Sequence, residues 1–202
     1  MDKDDFLRVI AETAYNVGFG AKKHFSTYEI VDFFPNLIGF ISITFGIYSL
    51  AFDGLPTDFL SSTFVVLGVL GLYIAFYNHD KENYLTRAVE LTRIFDDLKK
   101  LYFTVKSEDP IDYAAHIQTF DALREKYSAA SISKQILFSG WFAHYKFFWE
   151  QQIKWIDEQK HFSFWRDKVP LSMMICIFIV GIASAIYFID FISVACAVIS
   201  QG

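Results

Sequence analysis

Two long apolar runs without a single charged side chain constrain this chain more than any other feature. Residues 36–52 and 59–77 contain no Asp, Glu, Lys or Arg, and only the connection DGLPTD separates them. As α-helices they would be roughly 26 and 28 Å long, close to the hydrocarbon core of a bilayer of about 30 Å. The sequence therefore predicts a transmembrane helical hairpin.

The alternative is a water-soluble helical protein with two very apolar core helices. A third apolar run occupies residues 169–199, and the chain is 53% hydrophobic with a mean hydropathy of +0.29. Three such runs are hard to bury within 202 residues. We therefore expect an all-α membrane protein with an N-terminal amphipathic helix, a transmembrane hairpin, a cytoplasmic three-helix segment and a C-terminal third transmembrane helix. The expected boundaries are 1–34, 35–77, 78–168 and 169–199.

The distribution of cations predicts the orientation of these segments. All 18 Lys and Arg lie before the hairpin or between residues 81 and 168, whereas the hairpin loop carries Asp53 and Asp58. The positive-inside rule then places the N-terminus and residues 78–168 in the cytoplasm, and the loop at 53–58 outside. The third span would send the C-terminus out. With a net charge of −5, the chain lacks the basic surface of a nucleic-acid-binding protein.

The segment before the hairpin reads as a cytoplasmic amphipathic helix followed by a juxtamembrane turn, residues 1–34. Gly18 and Gly20 loosen its helical pattern, and Pro35 suits the first turn of a new helix. Lys22 and Lys23 would either meet anionic lipid headgroups or serve only to set the topology.

Small residues recur at helical spacing within both arms of the hairpin. They are Gly39, Ser42, Gly46 and Ser49 in the first arm and Ser61, Gly68 and Gly71 in the second. Small residues let transmembrane helices approach closely. Two interpretations stay open: ordinary packing of one arm on the other, or contacts between protomers and the lining of a polar path.

The cytoplasmic segment is expected to begin with a long polar helix from about residue 78 to 106. His79, Asp80 and Glu82 at its start suit a capped helix terminus better than a metal site. The sequence SEDP at 107–110 then ends this helix, and a second helix follows from Pro110.

A further helix is predicted from about residue 133 to 162, with aromatic residues in heptad register. Trp141, Phe148, Trp155 and Phe162 stand seven residues apart. This face would be either the core against the two preceding helices or a surface for oligomerisation or membrane apposition.

The third apolar run leaves the position of Asp190 open. A helix ending at Asp190 would put this carboxylate at the outer surface, which is the interpretation we favour. A helix continuing to residue 199 would make it intramembrane and a functional-site hypothesis.

Catalytic and cofactor motifs are missing from the sequence. It contains no nucleophile elbow, Walker loop, dinucleotide fingerprint or HExxH sequence, and Cys176 and Cys196 form no ligand pattern. We expect no enzyme activity, no cofactor and no metal site.

The run AETAYNVGFGAKKHFSTYEIV at 11–31, followed by PNLIGFISI at 35–43, resembles the SLATT family, the SMODS and SLOG-associating two-transmembrane effector domains of bacteria. The likeness extends over residues 5–165. It implies a membrane effector of antiviral defence, triggered by a partner protein that makes or senses a nucleotide signal, in a family proposed to form pores. The third apolar run departs from the two-span pattern.

Residues and resemblance together suggest an oligomeric effector of the bacterial inner membrane that forms pores or disrupts the membrane. Its cytoplasmic helices, chiefly the heptad-bearing one, would gather protomers, and its hairpins would then open a conductive or leaky path. The second hypothesis is a membrane scaffold that recruits a cytoplasmic partner and conducts nothing.

Overall fold

The computed structural model describes residues 2–52, 57–109 and 113–199, with side chains described except at 57 and 189–199. The described parts are helical and contain no strand, as expected for an all-α membrane protein. They form two compact units, residues 1–161 and 162–202. The predictions for Asp53 in the hairpin loop and for a helix start at Pro110 fall outside the described residues.

Helix α1, Lys3–Ala51, is a single helix of 49 residues. Its N-cap Asp2 accepts a hydrogen bond from the Asp5 N–H at 2.8 Å. The predicted turn before residue 35 is wrong, since α1 continues through Pro35. Proline lacks the N–H that would bond to the Val31 carbonyl, so the helix loses one hydrogen bond there. One residue further on, the Asn36 side chain donates to the carbonyl of Asp32 at 3.0 Å.

Helix α2, Thr57–Asn78, is the second arm of the hairpin, and α3, Lys81–Ser107, follows it. The first half of α1 packs chiefly against α3, whose buried stripe repeats at helical spacing. The stripe includes Tyr84, Ala88, Leu91, Phe95, Leu98, Tyr102 and Val105.

Helix α4, Tyr113–Ala130, buries Phe120 and Leu123. The single helix expected over residues 133–162 is wrong. An extended connection leads instead to α5, Ser139–Tyr145, a π-helical turn, Lys146–Glu150, and α6, Lys154–Lys160. Phe138 before α5 and His161 after α6 are left-handed, with φ of 67° and 49°. These two residues lie near the ends of the segment, and the break within it falls at Gln151, whose backbone is extended with φ of −84° and ψ of 139°. The heptad pattern is therefore distributed over short helical pieces.

The second unit contains a π-helical turn, Phe164–Lys168, and helix α7, Leu171–Ile199. At 1.5 Å per residue, α7 is roughly 43 Å long. The favoured ending at Asp190 is wrong, because the helix continues to Ile199. The Asp190 carboxylate itself lies outside the described side chains, so its intramembrane position stays a prediction.

Candidate functional site

The arms of the hairpin expose apolar side chains along most of their length. Leu50 is 92% exposed, and Phe40 and Phe76 are also exposed. Soluble monomers rarely display an apolar surface this continuous, whereas the lipid-facing side of a membrane helix normally does. Among the described residues, three helical stretches are long and apolar enough to cross a membrane, in α1, at Asp58–Asn78 and at Leu171–Phe188. The hairpin is therefore the candidate site of action.

Hydroxyl groups within the arms are satisfied by their own helices. Thr44, Ser62 and Thr63 each donate to the carbonyl four residues earlier, at 2.9, 2.8 and 2.8 Å. A hydroxyl without a partner would be costly in hydrocarbon. These bonds let the arms carry polar residues without requiring a polar neighbour.

The glycines predicted for close packing are not in tight contact with the other described residues of their compact unit. Apart from the nearby backbone of their own helix, a Cβ atom added at Gly39, Gly46, Gly68 or Gly71 would find no heavy atom of these residues within 4 Å. In the described part of the hairpin, the two arms therefore do not pack tightly at these glycines. Their spacing still leaves faces on which another helix backbone could approach closely.

The serines of the same pattern differ in their exposure. Ser42 is half-buried, whereas Ser49 and Ser61 are exposed. The predicted role of these residues in protomer contacts or in lining a path stays a prediction.

A polar cavity of about 350 Å³ lies at the end of the hairpin nearest α3. It is lined by Asp32, Asn36, Gly71, Asn78 and Lys81, among others. Asp32 and Lys81 form an ion pair at 2.9 Å, and this hydrogen bond raises the pKa of Lys81 above its usual value. The entrance to the hairpin is thus polar although the arms are apolar.

Residues 131–138, which we name the base segment, connect α4 to α5 and pass beside the hairpin. Tyrosines on α2 and α3 hold its backbone. The Tyr84 hydroxyl donates to the Lys134 carbonyl at 2.7 Å, and the Leu137 N–H donates to the Tyr73 hydroxyl at 3.1 Å. These bonds join α3 and the second arm of the hairpin to the base segment.

His24 of α1 holds the other side of the base segment. Its Nδ1 lies 2.7 Å from the Gly20 carbonyl, which can only accept, so Nδ1 carries the proton. The unprotonated Nε2 then accepts from the Ile132 N–H at 3.1 Å. Gln135 completes the contact, with its Oε1 2.6 Å from the Thr27 hydroxyl. A neutral His24 is therefore required for this arrangement.

The electrostatic surroundings of His24 favour that neutral form. Burial lowers its pKa, and the positive charges of Lys23 and Arg87 lower it further, whereas the bond to Gly20 acts in the opposite direction. The ring of Tyr84 lies 6.1 Å away, centroid to centroid. Sequence reasoning missed this site, because a single histidine on an apolar helix face gives no specific signal.

The four heptad aromatics occupy different environments. Trp155 is only 4% exposed and packs against the rings of Phe95 and Tyr102, at 5.8 and 5.0 Å. Trp141 and Phe148 are half-buried, and Phe162 lies in the second unit. For Trp155, the core interpretation is therefore confirmed. Oligomerisation through them stays a prediction.

Gly18 is the small residue that close packing does require. A Cβ atom there would lie 2.8 Å from ring atoms of Phe95 and 2.9 Å from Phe147. The sequence pattern suggested only a loosened helix at this position. Its role depends on which aromatic residues fold against α1, which helical periodicity does not reveal.

Within the described residues, no group of three or more His, Cys, Asp or Glu side chains is arranged to hold a metal ion. The start of α3 agrees with a helix terminus, with Asp80 at the N-cap and Glu82 in the first turn.

Comparison with known proteins gives one match. Residues 1–177 match the family model described as SMODS and SLOG-associating 2TM effector domain 6. The match contains the hairpin and residues 78–168, and it ends within the first turns of α7. No curated protein and no solved structure matched the chain.

Proposed function

Because this chain belongs to the family of SMODS and SLOG-associating 2TM effector domains, we propose that it is an oligomeric membrane effector of bacterial antiviral defence. Its hairpins would assemble between protomers in the inner membrane and open a conductive or leaky path. The proposal assigns no catalytic step and no cofactor to the chain.

The observation that carries this proposal is the open space at the hairpin glycines. In lipid, helices associate through close packing, and not through a hydrophobic drive. Gly39, Gly46 and Gly68 offer sites for such packing that the protomer itself leaves unused. A neighbouring hairpin is the partner that fits them, and the polar cavity beside Asp32 and Lys81 would supply an entrance for ions.

A trigger would act through the cytoplasmic part. The base segment is bonded to α1, α2 and α3 at once, so a partner that displaces it would also disturb the hairpin. We propose that this partner makes or senses a nucleotide signal, with the N-terminus and residues 78–168 cytoplasmic and the hairpin loop outside.

The test replaces Gly39, Gly46 and Gly68 with Leu and follows membrane potential with a dye, in cells that carry the neighbouring genes and receive the trigger. Nothing lies within 4 Å of an added Cβ, so the protomer should still fold. We expect depolarisation with the wild-type chain and its loss in the glycine variants. Val65→Leu and Val69→Leu, at exposed positions of the second arm, are matched controls that should depolarise normally.

Depolarisation that persists in all the glycine variants would exclude these faces as the assembly surface. A second candidate function is a non-conducting scaffold, for which the base segment would be the site that recruits a partner. This function predicts that the wild-type chain causes no depolarisation even when its membrane insertion is confirmed. It also predicts that the glycine variants still recruit the partner.

A further inference from the structure

Exposed apolar side chains form a stripe along α5 and the π-helical turn that follows it. Leu137 is 60% exposed, Tyr145 59% and Trp149 64%, and Phe138 and Phe142 are also exposed. Phe142 and Tyr145 stand three residues apart within α5 and so lie on one of its faces. Phe138 immediately precedes α5, and Trp149 lies in the π-helical turn that follows it. We name these five residues the aromatic stripe.

An apolar cavity of about 530 Å³ lies beside the start of this stripe, and we name it the basal cavity. Both arms of the hairpin line it, together with the base segment and α5. Its lining includes Leu37, Ile41, Leu67, Leu70, Leu137 and Phe142. Leu137, Phe138 and Phe142 thus belong both to the cavity and to the aromatic stripe. The stripe is therefore continuous, through the cavity, with the exposed apolar surface of the arms.

Groups typical of a membrane interface occur in the elements that form this surface. The ammonium of Lys134, in the base segment, lies 5.0 Å from the centre of the Tyr77 ring. Tyr73 of α2 and Tyr145 of α5 are exposed. Tyr and Trp are enriched at the level of the headgroups, where one part of the side chain is apolar and the other is hydrated. A lysine at this level suits the phosphate of an anionic lipid.

We propose that the basal cavity holds one acyl chain of a phospholipid from the leaflet at the base of the hairpin, and that the aromatic stripe lies at the boundary between headgroups and acyl chains. Lipid is the occupant that the continuity with the arms favours, because the same bilayer that covers the arms reaches the cavity. Lys134 would contact the lipid phosphate. The inference needs an inserted hairpin but no pore, so it stands apart from the proposed conductance.

The first experiment uses tryptophan fluorescence in vesicles of phosphatidylcholine and phosphatidylglycerol, with phosphatidylcholine brominated near the carbonyl end of its acyl chains as the quencher. Variants keep Trp149 or Trp155 as the only tryptophan, the others being replaced by Phe. Trp155 lies in the core beside Phe95 and Tyr102 and is the control. We expect brominated lipid to quench Trp149 several-fold more strongly than Trp155.

Two outcomes would overturn the proposal. Quenching of Trp149 by aqueous iodide and not by brominated lipid would place the stripe in water. Protection of Trp149 from both quenchers would mean that protein, such as a second copy of the chain, covers the stripe.

The second experiment tests the cavity itself. Leu70→Trp would fill it, whereas Leu72→Trp adds the same side chain at an exposed position of the same helix that does not line the cavity. Native mass spectrometry of protein released from detergent containing phosphatidylglycerol should show one retained lipid fewer for Leu70→Trp and no change for Leu72→Trp. Equal lipid retention by the two variants and the wild-type chain would rule out the cavity as the site.

Discussion

Gly18 lies where α1 meets α3 and the π-helical turn before α6, and its missing side chain is what allows that contact. The rings of Phe95 and Phe147 occupy the space that a Cβ atom would need, at 2.8 and 2.9 Å. Phe147 is fully buried and Phe95 nearly so, which leaves these rings little room to shift. Gly18 therefore allows α1, α3 and the π-helical turn to pack closely at one point.

Gly18→Ala should therefore lower the free energy of unfolding by about 1–3 kcal/mol, the usual cost of overpacking a core. Gly20→Ala is the matched control, because its nearest neighbours across the interface lie at 3.8 Å, an ordinary contact distance. The control should be neutral or gain up to about 1 kcal/mol from its better helix propensity. Thermal unfolding of the two purified variants, followed by circular dichroism, measures the difference. Equal midpoints for both variants would show that the rings can move aside.

The base segment is hydrogen-bonded to α1, α2 and α3. Its bond to His24 of α1 requires the neutral form of the histidine ring. Burial lowers the pKa of His24 below its usual value of 6.5. His24 therefore binds a proton less readily when it is hydrogen-bonded to the base segment than when the segment is detached from it. The contribution of this contact to stability is complete above pH 6.5 and falls as the pH decreases below that value.

A spin label at Ser133→Cys, with Cys176 and Cys196 replaced by Ala, should report this release. We expect label mobility to rise as the pH is lowered from about 7 to about 5, the range in which histidine changes its charge. His24→Gln removes the titrating ring and serves as the control, with mobility that does not depend on pH in this range. If label mobility depends on pH in the same way with His24 and with His24→Gln, a group other than His24 controls the release of the base segment.

Elements differed in how far the sequence could predict them. The hairpin arms were predictable, because long charge-free runs have few structural alternatives. The helix expected over 133–162 was not, since aromatic heptads look alike whether the helix is continuous or broken. Phe138 and His161 adopt left-handed conformations and Gln151 an extended one, and none of the three is a glycine or a proline that would mark a break in the sequence.

The candidate site was predictable to a similar extent. The spacing of Gly39, Gly46 and Gly68 correctly located small residues on the membrane arms. It could not show that these glycines stay open within the protomer, because that depends on the separation of the arms. The hydrogen bonds from Tyr73, Tyr84 and His24 to the base segment join residues far apart in sequence, and periodicity carries no information about such pairs.

At the scale of the whole molecule, a compact helical part continues directly into the arms of the hairpin. Helix α1 belongs to both, with its first half buried against α3 and its second half exposed as a membrane arm. A continuous helix transmits displacement better than two helices joined by a turn. The family match covers this entire arrangement, whereas most of α7 lies beyond it.

The measurement that tests the central claim most directly is patch-clamp recording from spheroplasts that carry this chain with its neighbouring genes, before and after phage infection. Assembly of hairpins into a path predicts discrete conductance steps that appear after infection and are missing with Gly39→Leu and Gly46→Leu. Patches that contain the protein and stay electrically silent after infection would contradict the account.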